Sequence, residues 1–370
     1  MKAVLRNKED LKDSGIEWIG AIPKSWNIAP IKFSFDIFAG ATPDSKESAF
    51  WDGDIPWITP ADYKTTDKYI MSGRRNLTIQ GLESCSATLV PKGSLIFSKR
   101  APIGTVAISK QPLATNQGCL SCVSKGLADV DYFYFMTSIA TEEFELSGAG
   151  TTFKEISASK FSNFKMPCPE FEEQTSISKY LNDHCAKIDT IIAEAKASIE
   201  EYKELKQAVI YETVTKGLDK TVEYKNVNLY GIKQIPKNWK KIKIGWFCSF
   251  INGDRSEKYP SGNDFQDTGI PFIGADSLNE LFVNKDNCRY ITQRKYDSMG
   301  GLKIQKDDIL YTLRGSTIGK CAIANFDNGT VASSLTGIRV KNKDMLYPMF
   351  LAYWLQSQCE YNQRTVLING

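Results

Sequence analysis

The amino-acid sequence predicts an α+β chain in which two homologous mixed α/β domains are separated by a long coiled-coil-forming helix. Two observations carry this expectation. The first is a duplication: Ile22-Pro23-Lys24-Ser25-Trp26 returns as Ile235-Pro236-Lys237-Asn238-Trp239, and Asp54-Ile55-Pro56-Trp57-Ile58 returns as Gly269-Ile270-Pro271-Phe272-Ile273, an offset of 213 to 215 residues. Leu95-Ile96-Phe97 through Arg100 and Ile103-Gly104 keep that register against Ile309-Leu310-Tyr311 through Arg314 and Ile318-Gly319. The second is a stretch without Pro or Gly, from Glu173 to Lys216, whose apolar residues Ile177, Leu181, Ile188, Ile192, Ala195, Ile199, Tyr202, Leu205 and Val209 fall mostly at 4-3 spacing. That spacing gives a helix with one narrow apolar seam. The expected domains are 1–170, a spacer helix 171–217 and 218–370.

Within the first copy, Leu95-Ile96-Phe97 and Thr105-Val106-Ala107-Ile108 read as a hairpin with a long turn at Lys99 to Gly104, and Cys119-Leu120-Ser121-Cys122-Val123 reads as a third strand. The second copy offers Ile309 to Tyr311, Cys321 to Ala324 and Gly337 to Val340 in the same places. Aromatic helical stretches follow at Tyr132 to Thr137 and Phe350 to Leu355, and such stripes belong to cores. Polar loops at Gly40 to Asp54 and Asn252 to Gly269 differ between the copies far more than the anchors do. A shared framework with divergent loops points one fold at two targets. In the spacer, the step from Tyr202 to Leu205 to Val209 breaks the heptad and relaxes any supercoil there, and Gly217 is the expected stop. About 43 residues at 1.5 Å each make a rod of roughly 64 Å, a natural ruler between two similar domains.

Composition narrows the class. At 370 residues the chain supports two ordinary domains, and its apolar and charged fractions are those of a globular protein. The first 20 residues carry Glu9, Asp10, Asp13 and Glu17 without an apolar run, and nowhere do 18 apolar residues follow one another, so neither a secretory signal nor a membrane span is expected and the cytoplasm is. Nine irregularly spaced cysteines suggest free thiols in a reducing compartment. The net charge is +3; between Glu172 and Lys216 six Lys face nine acids, a balance of −3, which leaves +6 on the repeated units. A basic surplus on the domains and an acidic rod suit a pair of domains that touch DNA.

No catalytic constellation emerges. The single histidine, His184, lies on the spacer helix beside Cys185. Cys119-x-x-Cys122 has metal or redox spacing but falls in a strand without a second pair, and is expected to be core. Gly315 to Lys320 is too short for a phosphate loop and has Cys321 where Ser or Thr belongs. Pro43-Asp44 is followed by Glu47-Ser48-Ala49 where a nuclease would show Glu-x-Lys, and the Asn/Asp-Pro-Pro-aromatic signature of amino-methyltransferases is missing. The residues describe a chain that binds, with no metal site or cofactor of its own.

Lys12 to Gly20 leading into Ile22-Pro23-x-x-Trp26 resembles the opening of the specificity subunits of type I restriction-modification systems. Pro167-x-Pro169 with Glu173-Gln174-x-x-Ile177-x-x-x-Leu181 resembles that family's entry into its first conserved helix, and Ile210 to Leu218 its exit. With the duplication, the likeness covers essentially the whole chain. It implies two target recognition domains reading the halves of a bipartite double-stranded DNA target, and antiparallel conserved helices that dock two modification (adenine methyltransferase) subunits. Restriction (nuclease-translocase) subunits join for cleavage, and S-adenosylmethionine sits in the methyltransferase. One departure stands out: the second conserved helix, equivalent to Thr151 to Lys216, is missing, because the sequence stops at Gly370, aligned near Gly148 to Gly150. The seam is then expected to be covered by a second copy, in self-pairing through the helix, or by a methyltransferase subunit.

The candidate DNA contacts are Lys99-Arg100 and Arg314 at equivalent turns, then Arg74, Arg75, Tyr63, Arg255, Lys258, Arg289, Arg294 and Lys295. Arg forks onto guanine or phosphate whereas Lys supplies a point charge, which favours Arg100 and Arg314 for base readout. The candidate subunit interface is Gln174, Ile177, Leu181, Ile188, Ile192, Ala195, Ile199, Tyr202, Leu205 and Val209. The rival reading is a two-headed protein-binding scaffold dimerised by a coiled coil, which need not show the steep salt dependence of phosphate contacts.

Overall fold

The structure, a computed structural model, describes residues 7–149, 154–229 and 231–369. It divides into two compact units, Met1–Ile192 and Ala193–Gly370, so the spacer helix is shared between them and is not a body of its own. The expected alignment of Gly370 with Gly148 to Gly150, and of Thr151 onward, falls partly on residues outside the described ones.

In the first unit the two main sheets are built from β1 (Phe35–Ala39), β2 (Trp51–Ile58), β3 (Tyr69–Ile70), β4 (Arg75–Leu77), β5 (Leu95–Lys99), β6 (Ile103–Ser109), β7 (Ala114–Thr115) and β8 (Cys119–Ser124). A five-stranded sheet runs β1-β8-β5-β6-β3, antiparallel except for the last pair, and a three-stranded sheet runs β7-β2-β4. The expected third strand therefore inserts between β1 and the hairpin. The turn of that hairpin is also tighter than expected, since β5 runs to Lys99 and β6 begins at Ile103.

Strand alternation divides the core in two. Leu95, Phe97, Val106 and Ile108 face one cluster, with Tyr132 and Phe133 of helix α1 (Val130–Ile139), while Ile96 and Ala107 face another with Tyr63 and Leu113. Phe97, fully buried, meets Phe161 at 4.3 Å and Phe144 at 4.8 Å between ring centroids.

The second unit repeats the plan with β9 (Cys248–Asn252), β10 (Phe265–Gln266), β11 (Ile270–Ile273), β12 (Arg289–Ile291), β13 (Ile309–Thr312), β14 (Cys321–Ile323), β15 (Thr330–Val331) and β16 (Leu335–Val340). Its two main sheets, β9-β16-β13-β14 and β10-β12-β11-β15, have four strands each. Where β3 lies in the first unit, only a bridge between Phe282 and Ile323 remains. Ile309, Cys321, Ile323 and Ile338 face one cluster with Leu351 and Leu355 of a short helix (Pro348–Leu355), and Leu310 and Ala322 face the other. The first aromatic stripe is core, as expected, with Tyr132, Phe133 and Tyr134 buried; in the second the buried residues are Leu351, Ala352 and Leu355, while Tyr353 and Trp354 are half-buried and Phe350 is 38% exposed.

The long helix, α2, spans Phe171–Lys216, 46 residues and about 69 Å. Gly217, at φ 75°, ends it by donating its N–H to the Thr213 carbonyl at 3.0 Å. Its two ends are held differently from its middle. Gln174 and Ser178 are buried in the first unit and Ile177 packs against the aromatic cluster. Ile210, Val214 and Thr215 are buried in the second. Residues 185–209 are exposed all round.

Phe97→Ala should destabilise the first unit by about 3–5 kcal/mol through lost burial and the cavity left between Phe144 and Phe161. Denaturant unfolding followed by a probe in the first unit, with the second as internal control, measures it.

Candidate nucleic-acid interface

The sheet β7-β2-β4 of the first unit and β10-β12-β11-β15 of the second carry the divergent loops and share one pairing scheme, the single β2 being divided into β10 and β11 in the second. Leu77 on β4 pairs with both Trp51 and Ile55 of β2, while Ile291 on β12 pairs with both Phe265 and Ile270. Trp51 and Trp57 meet edge to face at 5.1 Å and 81°; Phe265 and Phe272 do so at 5.5 Å and 69°. A parallel strand completes each sheet, Ala114 opposite Trp57 and Thr330 opposite Phe272. Thr78 and Thr292 cap the helices that follow, accepting from the N–H of Gly81 and of Lys295.

Loop anchoring is where the units part. In the first, the indole N–H groups of Trp51 and Trp57 donate to the carbonyls of Asp44 and Ala41, both at 3.0 Å. Phenylalanine cannot donate, and the second unit uses carboxylates. Asp254, buried, accepts from the N–H of Ser256 and of Gly300, both at 2.7 Å. Asp264 accepts from the N–H of Ser261 at 3.0 Å and pairs with Lys295 at 2.9 Å. The Ser256 hydroxyl and N–H, with Gly300 and Lys258, hold the Asp254 carboxyl below the usual carboxylate range. Ser261 and Lys295 do the same for Asp264.

The expected contacts fall into three groups. Arg255, Lys258, Arg294 and Arg314 are exposed, and so are Arg74, Arg75 and Arg289. Arg74, with a side chain 78% exposed, lies 3.6 Å from Asp62. Arg75 lies flat over Trp51, its guanidinium carbon 3.3 Å from the ring centroid, and Arg289 lies over Phe265 at 4.2 Å. Each stack contributes about 0.5–1 kcal/mol at an exposed site. The second group is braced: Glu155 pairs with Lys99 at 2.7 Å and with Arg100 at 3.5 Å, and Lys295 latches Asp264. These three cations are half-buried and already engaged.

Tyr63 is a correction to the sequence reading. It is 4% exposed, with its hydroxyl 3.7 Å from the Cys119 sulfur, and burial pushes its phenol up. A polar residue near a loop looked accessible, but Ile58, Ile70 and Ile96 enclose it. Burial likewise pushes the Cys119 thiol up to about 12 and raises that of Cys122, which keeps both as neutral core thiols. Among the described residues no three His, Cys, Asp or Glu side chains come together as metal ligands.

Gln174 is a second correction. Its carboxamide lies wholly inside the first unit, accepting from the Asp129 N–H at 2.9 Å and donating to the Pro169 carbonyl at 2.8 Å, so it offers nothing to another subunit. Ile177 and Leu181 are half-buried beside it. The rest of the seam, Ile188, Ile192, Ala195, Ile199, Tyr202, Leu205 and Val209, is exposed, and Ile191, at 63%, widens it. Sequence reasoning also missed Lys68, whose ammonium pairs with Asp131, bonds Asn182 of α2, and lies 4.7 Å from the Phe135 ring centroid and 5.2 Å from that of Tyr134.

Residues 23–201 and 236–368 match the family model for the type I restriction modification DNA specificity domain. The chain belongs to this family. It is 32% identical over 262 residues to the type I restriction enzyme MjaIX specificity subunit of Methanocaldococcus jannaschii, covering 69% of this chain and 58% of that protein. It is 26% identical over 283 residues to the EcoBI specificity subunit of Escherichia coli, covering 72% and 58%. The matched stretch thus spans under two thirds of either relative. Among solved structures, a chain from a study of type I restriction-modification complex assembly and conformational transition superposes with a TM-score of 0.65 at 16% identity, over 90% of this chain and 80% of that one. The HsdS subunit from Thermoanaerobacter tengcongensis gives 0.54 at 15%, over 93% and 82%. These likenesses establish the fold: two mixed α/β regions with a long central helix. No described helix is long and apolar enough to cross a membrane.

Acid should separate the two loops. A carboxylate whose folded pKa is depressed stabilises fully above its unfolded value of about 3.9, and that stability is lost as pH falls through the lower folded value. Amide exchange across 254–269 should therefore accelerate, after correction for intrinsic rates, as pH falls below about 4. The indole-tethered loop at 41–50 should respond less, and Asp254→Asn should loosen the second loop already at neutral pH.

Proposed function

We propose that this chain is the DNA-specificity subunit of a type I restriction-modification complex, working in the cytoplasm and without catalysis of its own. Each unit reads one half of a bipartite duplex target through its loops and basic residues. The long helix docks the modification (adenine methyltransferase) subunits, which bind S-adenosylmethionine, and a restriction (nuclease-translocase) subunit joins for cleavage. The observation that carries this reading is the repeated loop-bearing sheet: its pairing scheme is shared by both units, while the loop it presents is anchored by indoles in one and carboxylates in the other. A protein-binding scaffold would not bring the family match with it.

The exposed seam fits the docking role. Ile188, Ile191, Ile192 and Ile199 are each 45–63% exposed. Apolar surface left in water costs about 25 cal/mol per Å². Its proposed cover is a modification subunit or a second copy of the chain. Ile192→Asp should abolish assembly while leaving both units folded; light scattering with and without the modification subunit, beside circular dichroism, checks it. An unchanged assembly state would remove the seam from the interface.

Mapping methylated adenines in cells that express the complete system should reveal a split target. Inserting four residues after Ala195 adds roughly 6 Å and about one turn to the helix. The mapped spacer should lengthen while both half-sequences stay the same. An unaltered spacer would assign the ruler to another element.

A further inference from the structure

Resting on the DNA-reading function just proposed, we propose that Arg75 and Arg289 are a matched pair of phosphate-gripping forks. Each would hold the DNA backbone of its own half-site in register and read no base. The two residues lie 214 positions apart, as do Trp51 and Phe265 beneath them. Each sits two residues before the doubly paired Leu77 or Ile291, directly across the ladder from Trp57 or Phe272. Each places its guanidinium carbon over the ring of the diagonal neighbour. The residues beside them are not kept: Arg74 stands where the second unit has Cys288, and Asn76 where it has Tyr290.

The duplication supplies the reason for preferring phosphate. Two units that read different base sequences share one thing on the DNA, its sugar-phosphate backbone. A constellation preserved in residue type, strand position and stacking between units whose loops have diverged is matched to that common feature; base readers are expected among the positions that differ. The chemistry agrees. A guanidinium whose carbon lies over an aromatic ring, at 3.3 Å for Arg75 and 4.2 Å for Arg289, keeps N–H donors for the fork that fits two phosphate oxygens. Among the described residues neither arginine has a carboxylate or carbonyl partner, in contrast to Arg100, which Glu155 engages, and Arg74, which lies beside Asp62. A ring that holds the guanidinium before binding reduces the side-chain freedom to be lost on contact.

The test uses the full chain assembled with its modification subunit. The probes are a duplex carrying the target mapped by adenine methylation and a duplex with both half-sites scrambled, each titrated over a range of salt. Arg75→Gln and Arg289→Gln should each weaken binding to both duplexes by the same factor, leaving the ratio of the two affinities unchanged. Each should also reduce the log-log salt slope by about 0.9, the contribution of one phosphate. Arg75→Lys, which keeps a point charge but loses the fork, should retain the slope while still losing affinity. Thermal unfolding of every variant separates damage to the sheet from loss of a contact. Three results would overturn the proposal: relaxed base preference in one half-site with an intact slope, which makes these residues base readers; wild-type affinity and slope in both Gln variants, which makes the stacks merely structural; or no salt-dependent duplex binding by the wild-type assembly. The last appears before any variant is made and marks failure of the parent reading.

Discussion

A helix with an apolar stripe cannot leave that stripe in water along its whole length, and this constraint organises the molecule. Each end of the 46-residue helix is sunk into a folded unit, through Gln174, Ile177 and Ser178 at one end and Ile210, Val214 and Thr215 at the other. The stretch between has no such cover. At the N-terminal end the fastening is polar as well as apolar. Gln174 spans the N-cap of α1 and the Pro169 carbonyl, and Lys68 bonds both Asp131 of α1 and Asn182 of α2 in a pocket walled by Tyr134 and Phe135. A half-buried lysine with a carboxylate, an amide and aromatic faces around it favours one geometry, so the helix is fastened to the unit by directional contacts as well as by apolar ones.

At the C-terminal end the fastening is built from a different set of atoms. Tyr211 packs with Ile232, Ile235 and Cys359, and Trp239 joins the same cluster. The Ile-Pro-x-x-Trp anchor of the second copy therefore has a packing role that its spacing alone did not disclose.

Much of the architecture was legible because it is written twice. An offset shared by several anchors fixed the domain plan, and alternation placed the hairpin and third strand, since a strand that feeds two clusters must carry apolar residues on both faces, as Leu95, Ile96 and Phe97 do. The long helix was legible because nothing in 44 residues interrupts it. The candidate site was less so. Tyr63 and Gln174 are polar residues whose partners, Cys119 and Asp129, lie 56 and 45 positions away, and no local pattern announces such a pairing. Lys99 and Arg100 read as a bare basic turn because Glu155, 55 positions beyond Arg100, is far off in sequence. The stacked arginines could have been found by extending the repeat register to Trp51, Phe265, Arg75 and Arg289, all at one offset, but the ring beneath each guanidinium required the ladder.

Glu155 also settles a matter of symmetry. The first turn carries Lys99 and Arg100 and the second carries Arg314 and Lys320, so by residue count the units would present equal fields. With its carboxylate against Lys99 and Arg100, Glu155 brings the first turn to a single net positive charge, whereas Lys320 in the second bonds only the neutral carboxamide of Asn279. Two turns with the same number of cations thus differ by the one charge that Glu155 neutralises, a difference that residue counting alone does not reveal.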